Sequence, residues 1–125
     1  MGLMNIILGN ASEVDLNELQ KEFADILVDN EILEKAYCVI RDKWVFTNKR
    51  LILLNVQGVT GTKREYLSVP YHNISHFTIE TAGTLDDDCE LKIYIRGTQG
   101  FLKKEFSRKT DIKSLQKILA SHILN

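Results

Sequence analysis

The feature that most constrains the fold of this chain is a change in the spacing of its apolar residues near Glu34. Before this point the spacing is three or four residues, which aligns the side chains along one stripe of a helix. After it, the spacing falls close to two and the residues are β-branched or aromatic, as in strands. The helical stripe is formed by Leu16, Leu19, Phe23, Ile26 and Leu27.

This pattern predicts an N-terminal helix over about residues 13–29, with Ser12 as its N-cap and Asp15 as a weaker capping-box partner. Acidic residues in the first turn suit the positive end of the helix dipole. The opposite face is charged and is expected to face solvent.

Seven strands are predicted between about residues 35 and 107, because short apolar runs alternate with turn residues. Short connections favour antiparallel neighbours. In the run that starts at Cys89, apolar and polar residues alternate, so one face is core and the other is wet. The predicted strands are 35–41, 43–46, 50–55, 62–69, 74–80, 89–96 and 100–107.

A second helix is predicted at about residues 110–124, capped by Thr110. Its apolar stripe must be buried, and a sheet that folds on itself leaves an open end for it to cover. The 125 residues fit one domain, 1–125, of the α+β class that is mainly β. The stripe is formed by Ile112, Leu115, Ile118, Leu119 and Ile123.

Charge and cysteine content exclude several classes of function. Sixteen basic and seventeen acidic residues give a net charge of -1, so no global field attracts nucleic acid. Cys38 and Cys89 form no C-x-x-C pair and are expected to be reduced. The apolar start, residues 1–8, is too short to span a membrane and has no basic leader. We therefore expect a cytoplasmic protein.

The polar stretch 47–50 (TNKR) lies between two apolar runs and has two interpretations. Lys49 and Arg50 are charged donors that suit an anion, but no glycine-rich phosphate loop accompanies them. Asn48 tolerates the positive φ that a tight turn requires. The stretch is therefore expected to be a turn between strands with solvated or ion-paired side chains, and an anion site is the alternative.

The anion-site alternative extends to a basic face, provided that the first strands are neighbours. Asp42 and Glu65 would weaken the field of this face. Its candidate anion- or lipid-binding residues are Lys43, Lys49, Arg50, Lys63 and Arg64.

No metal or catalytic motif is complete. His72 and His76 are four residues apart, but they fall at the start of a strand, where a helical spacing does not align side chains. Asp86, Asp87 and Asp88 lack the glycine and glutamate of a calcium loop and are expected to keep a hairpin soluble. No spacing marks a catalytic triad. We expect no enzyme activity, no metal and no cofactor.

The segment 40–97 resembles the bacterial pleckstrin-homology-like family in the motifs FTNKRLI, QGVTGTK, PYHNISHF and ETAGTLD, the last followed by an ELKI strand. The resemblance covers nearly the whole chain. It implies a barrel of two nearly orthogonal antiparallel sheets with seven strands, capped at one corner by the C-terminal helix and preceded by an additional helix. It implies no enzyme activity and suggests ring-like homo-oligomers, with a pentamer as the candidate size.

These observations predict a non-catalytic binding and assembly module that forms a homo-oligomeric ring and presents a surface to a protein partner. Phosphoinositide binding does not follow from the resemblance, because the first predicted hairpin has too few basic residues. The alternative is a peripheral protein that binds anionic lipid headgroups, or another anionic ligand, through the basic face.

Overall fold

A short strand opens the described part of the chain, which in this computed structural model comprises residues 11–81, 83 and 88–124. Two α-helices follow it in the order of the chain, α1 (Leu16–Phe23) and α2 (Ile112–Ile123), and a single 3₁₀ turn, Tyr71–Asn73, joins two strands. The strands are β1 (Ser12–Glu13), β2 (Leu33–Val39), β3 (Asp42–Thr47), β4 (Arg50–Gln57), β5 (Lys63–Pro70), β6 (Ile74–Glu80), β7 (Cys89–Ile95) and β8 (Leu102–Phe106).

The strands form two antiparallel sheets. Strands β1 to β5 pair in chain order in the larger sheet, and β6 to β8 pair in chain order in the smaller one. The sheets are linked beside β1, where the Ala11 N–H donates to Glu105 O at 2.9 Å and the Ser107 N–H donates to Ala11 O at 3.1 Å. Within the described ranges, β5 and β6 each have a strand neighbour on one side only.

The central strands of the larger sheet pack against a core on each face. On β4, Leu51 packs into the main core between the sheets, whereas its neighbour Ile52 packs into a second core against α1. The main core takes Leu115 and Leu119 from α2, and the second core takes Phe23 from α1. Full burial of such side chains stabilises the fold by about 1.5–3 kcal/mol each, so both helices anchor through their apolar stripes.

The N-terminal helix is shorter than predicted, and its cap is a different residue. Ser12 lies in β1, which pairs with β2, so this part of the chain is not available to a helix. Asp15 caps α1 instead, and its Oδ1 accepts the Asn17 N–H at 2.7 Å. After Phe23 the chain turns away, and Ile26 is exposed rather than part of the buried stripe. Pairing with a distant strand therefore overrode the local capping signal.

The predicted fold class is confirmed: the chain is mainly β, with two antiparallel sheets, a C-terminal helix and an N-terminal helix. All seven predicted strands are present within about two residues of their predicted ends, and β1 is additional. Helix α2 is capped by Asp111 instead of Thr110. No helix in the described ranges has the length and apolarity needed to cross a membrane.

Candidate functional site

The β3–β4 turn, which contains the middle two residues of the stretch 47–50, is fixed by polar side chains of that stretch. Thr47 Oγ1 accepts the N–H groups of Lys49 at 3.0 Å and Arg50 at 2.9 Å. Asn48 binds the segment after α1, because its Oδ1 accepts the Ile32 N–H at 2.8 Å and its Nδ2 donates to Asn30 O at 3.0 Å. The polar residues of this turn therefore hold two segments of the chain together.

Glu31 is the centre of this arrangement, and its side chain is completely buried. Arg50 binds the Glu31 carboxylate in a bidentate manner: Nε donates to Oε2 at 2.9 Å, and Nη2 donates to Oε1 at 3.1 Å. Thr47 Oγ1 donates to Oε2 at 2.7 Å, and the Val28 N–H donates to Oε1 at 3.0 Å. We call Glu31, Thr47, Asn48 and Arg50 the polar clamp.

The clamp keeps Glu31 ionised. Burial alone would raise the pKa of Glu31, but the hydrogen bonds from Arg50, Val28 and Thr47, together with the charge of Arg50, outweigh burial and lower it. Arg50 also donates to Ile26 O at 2.8 Å and to Ser68 Oγ at 2.9 Å. Its guanidinium is thus already occupied by structural partners, which disfavours a role in holding an external anion.

Two other predicted basic residues meet at one carboxylate of α1. Glu22 Oε2 lies 3.7 Å from Lys43 Nζ and 3.4 Å from Arg64 Nη1. All three side chains are partly exposed, so these pairs are screened by solvent and contribute little to stability. Lys43 and Arg64 are therefore brought together as predicted, but around an acidic residue.

Lys49 and Lys63 lie at opposite ends of β4. Lys49 is in the turn before this eight-residue strand, and Lys63 is opposite its last residue, Gln57. Because a strand rises about 3.4 Å per residue, the two ends are about 24 Å apart. Both side chains are exposed and form no ion pair with a described residue. The five predicted residues are thus spread along the sheet instead of forming one compact face.

The end of the larger sheet that carries Lys63 exposes two apolar residues. Ile40 is in the β2–β3 turn and is 64% exposed, and Val59 is in the β4–β5 turn and is fully exposed. Arg41 joins these turns, because its Nη1 donates to Gly58 O at 2.8 Å. We call residues 40–41 and 58–62 the hairpin tips. The sequence predicted the β4–β5 turn, but it placed residues 40 and 41 at the end of a strand and did not predict the apolar, cross-linked surface.

Ile40 adopts a φ of 56°, in the left-handed region that costs a β-branched residue about 1–2 kcal/mol. Glycine or asparagine is the usual choice at such a position. A depression of about 190 Å³ lies beside this turn, lined by Val39, Ile40, Arg41, Asp42 and Val56. A strained and exposed isoleucine at the rim of a depression marks the tips as a candidate interaction surface.

Strand β5 forms a second exposed surface. The six residues from Lys63 to Ser68 are all exposed, although they alternate between the two faces of the sheet. Leu67 is 44% exposed on the main-core face, and Tyr66 is 40% exposed on the opposite face, where its ring packs edge-on against Phe23. This edge strand therefore presents apolar side chains on both of its faces.

Metal-binding geometry is absent from the part of the chain that the structure describes, since no three His, Cys, Asp or Glu side chains converge there. His76 stacks on Tyr94 with 4.3 Å between ring centroids, and His72 is exposed. Asp86 and Asp87 of the acidic run lie outside the described residues. His122 bonds Glu34 at 2.7 Å and stacks on Tyr71, which ties α2 to the larger sheet.

The fold and these surfaces define a β-rich domain whose clustered polar side chains largely serve structural contacts. Residues 2–123 match the sequence model of the family described as bacterial PH domain. The uncharacterized protein YjqA of Bacillus subtilis (strain 168) is 46% identical over 122 residues, which cover 97% of this chain and 98% of the relative. This chain belongs to the bacterial PH domain family.

Two solved structures support this assignment. A DUF1696 family protein with a pleckstrin-homology domain from Shewanella loihica PV-4 superposes with a TM-score of 0.84 at 55% identity, covering 92% of this chain and 98% of that one. A pleckstrin homology domain from Shewanella amazonensis SB2B gives a TM-score of 0.72 at 52% identity and covers 99% and 100%. The predicted family resemblance is therefore confirmed.

Proposed function

We propose that this protein is a non-catalytic PH-like assembly module that forms a closed homo-oligomeric ring in the cytoplasm and presents a surface to a protein partner. The observation that carries the proposal is strand β5, which is exposed on both faces over six consecutive residues. Stable proteins cover such an edge or blunt it, because unpaired backbone groups and apolar side chains together invite another chain. Self-association would cover this edge without a second kind of protein.

A ring requires that one surface of a subunit contact a different surface of the next subunit. The chain offers more than one candidate surface, since β5, the edge of β6 and the apolar hairpin tips occupy different positions. Five subunits is the candidate ring size. No cofactor and no nucleic acid forms part of the proposal, and the net charge of -1 supports the latter point.

Absolute mass tests this proposal. Light scattering after size exclusion, across a dilution series and at two salt concentrations, is expected to give one stable multiple of the 14.3 kDa chain. A mass equal to one chain at every concentration contradicts the ring. An oligomer that dissociates on moderate dilution also contradicts it, since closure makes each subunit hold two contacts.

The hairpin tips favour a second candidate function, which is binding to an anionic membrane surface. Ile40 and Val59 are exposed apolar side chains on neighbouring turns, and Lys63 follows the second turn. Apolar side chains that enter the headgroup region beside a cation bind anionic bilayers more strongly than either feature alone. Arg41 contributes by holding the two tips in place.

Sedimentation with vesicles tests the second candidate, using phosphatidylcholine with and without one-third phosphatidylserine. If the tips bind, the protein pellets with the anionic vesicles only, and Lys63→Glu or Val59→Asp removes most of the binding. Lys49→Glu is the matched control, because Lys49 carries the same charge at the far end of β4. Absence of wild-type binding, or equal loss in both lysine variants, contradicts the tip site.

A further inference from the structure

Lys103 and Lys104 are adjacent on β8, but their side chains lie on opposite faces of the smaller sheet. Lys103 is exposed, whereas Lys104 is partly buried on the face that carries Phe106. In the ladder with β7, Lys104 lies opposite Leu91, which is fully buried in the main core. The alternation of side chains along one strand therefore places two identical amines in different surroundings.

The exposed lysine is held by carboxylates. Lys103 Nζ lies 3.2 Å from Glu90 Oε2 and 3.7 Å from Glu105 Oε1. The hydrogen bond to Glu90 and the charge of that carboxylate raise the pKa of Lys103, because both favour the ammonium form. An ammonium group has no free electron pair, so Lys103 is expected to be a poor nucleophile.

Lys104 has the opposite environment. Its Nζ lies 5.6 Å from the centre of the Trp44 ring and forms no ion pair or hydrogen bond with a described residue. Burial disfavours the charged form and lowers the pKa of Lys104, although the charge of Asp42 acts in the other direction. The face of an indole ring attracts a cation more weakly than a carboxylate does, so Trp44 does not replace a counter-ion.

We propose that Lys104 is an acylation site, at which the side-chain amine takes the acyl group of a small activated donor, either an acyl phosphate or an acyl thioester. The unprotonated Nζ attacks the carbonyl carbon and forms the C–N bond of an amide. The C–O or C–S bond of the donor breaks, and phosphate or the thiolate leaves with the bonding electron pair. Water takes the proton released from nitrogen, and no group is oxidised or reduced. This inference does not depend on self-association.

Acylation at this position changes a contact between the two sheets. Lys104 belongs to the smaller sheet, and Trp44 belongs to the larger one. The amide carries no charge, so the modification replaces a cation over the indole ring with a neutral and bulkier group. Trp44 is the only tryptophan of the chain, so its emission reports on this contact.

Competition between the adjacent lysines tests the proposal. The full chain is treated with limiting acetyl phosphate or acetyl-coenzyme A, and mass spectrometry with fragmentation between residues 103 and 104 measures acetylation at each. Acetylation of Lys104 is expected to be at least about threefold faster than that of Lys103 with one or both donors, and the donor that reacts identifies the source of the acyl group. Equal or slower reaction at Lys104 with both donors overturns the proposal.

Unfolded protein is the control for this competition. In concentrated urea both side chains are solvated, so the two lysines are expected to react at equal rates. A preference for Lys104 that persists in urea shows that the neighbouring sequence, and not the fold, directs the reaction, and it also overturns the proposal.

Asp42→Asn distinguishes activation of the amine from simple access to it. Asp42 Oδ1 accepts the Val56 N–H at 2.8 Å, and asparagine retains an oxygen for this bond. The substitution removes a charge that favours the Lys104 ammonium, so Lys104 is expected to react about twofold faster while Lys103 reacts at an unchanged rate. Unchanged or slower reaction of Lys104 contradicts the proposal.

Tryptophan emission tests the same contact without a reactive donor. Lys104→Gln places a neutral amide near the indole ring and is expected to shift the emission of Trp44 in the same direction as acetylation of the wild type. Lys103→Gln is the matched control and is expected to leave the emission unchanged, because Lys103 lies on the opposite face. Equal effects of the two variants overturn the contact on which the proposal rests.

Discussion

The turns at the two ends of β4 differ in chemistry: one is held by polar side chains, and the other exposes apolar side chains. At the β3–β4 end, the polar clamp satisfies a buried carboxylate with an arginine, a hydroxyl and a backbone N–H. At the β4–β5 end, the hairpin tips leave Ile40 and Val59 in solvent, and Ile40 is strained. Arg50 at the first end is held by structural partners, so function is more reasonably sought at the second.

Removal of the clamp carboxylate is expected to have the largest effect on stability. Glu31→Ala leaves Arg50 partly buried without its bidentate partner and removes the ionic link between the turn and the segment after α1. Because Arg50 is partly exposed, we expect the low end of the range for a broken buried pair, about 3 kcal/mol less free energy of unfolding. Urea denaturation measures this change, and Glu18→Ala on the exposed face of α1 is a control expected to change stability by less than about 0.5 kcal/mol.

Low pH is expected to reduce the contribution of the polar clamp to the stability of the protein. The pKa of Glu31 is lowered in the folded protein, so its contribution to stability is fully present above the unfolded pKa near 4.5 and is lost as pH falls through the folded pKa. The stability difference between wild type and Glu31→Gln should therefore be constant from pH 8 to about pH 5 and shrink below that. A difference that persists unchanged at pH 3 would show that ionisation of Glu31 is not what the clamp uses.

A substitution at the hairpin tips is expected to increase the stability of the protein. Ile40→Asn replaces a β-branched residue at φ 56° with one that tolerates this region, and should raise the free energy of unfolding by about 1 kcal/mol. Thermal unfolding measures the gain. The same variant should bind anionic vesicles less well than wild type if the tips contact membranes. Destabilisation by Ile40→Asn would instead indicate that the isoleucine side chain stabilises the fold.

The smallest effect is expected at Val59, which is fully exposed. Val59→Thr keeps the side-chain shape and should change the free energy of unfolding by less than about 0.5 kcal/mol. Together with Glu31→Ala, this variant tests whether stability resides at one end of β4 and surface chemistry at the other. A loss of more than about 1 kcal/mol in the free energy of unfolding would show that Val59 also contributes to stability.

Much of the fold was predictable because the periodicities are local. The alternation around Leu91 and Ile93 gave the strand that became β7, and the stripe at Leu115 and Leu119 gave the helix that became α2. The N-terminal helix was overextended because Ser12 forms part of a strand with a partner 26 residues away, Cys38. No local signal reports that kind of pairing.

The candidate site was less predictable. The stretch 47–50 was correctly expected to be a turn, but its partner Glu31 looked like an ordinary acidic residue between a helix and a strand. Lys43 and Arg64 were grouped as a basic face, whereas Glu22 from α1 lies between them. The spacing of charges along a strand does not report which residues of other elements lie between them.

The sequence by itself determined the order and type of the elements, the mainly β class and the family, because these depend on apolar spacing and turn residues along the chain. Only the tertiary structure decided which charges are neutralised, which edges remain open and which apolar residues face solvent. The physical reason is that burial and ion pairing depend on distances between segments that are far apart in sequence. For this protein, those distances make Arg50 a structural residue and leave β5, β6 and the hairpin tips as the surfaces on which function is proposed.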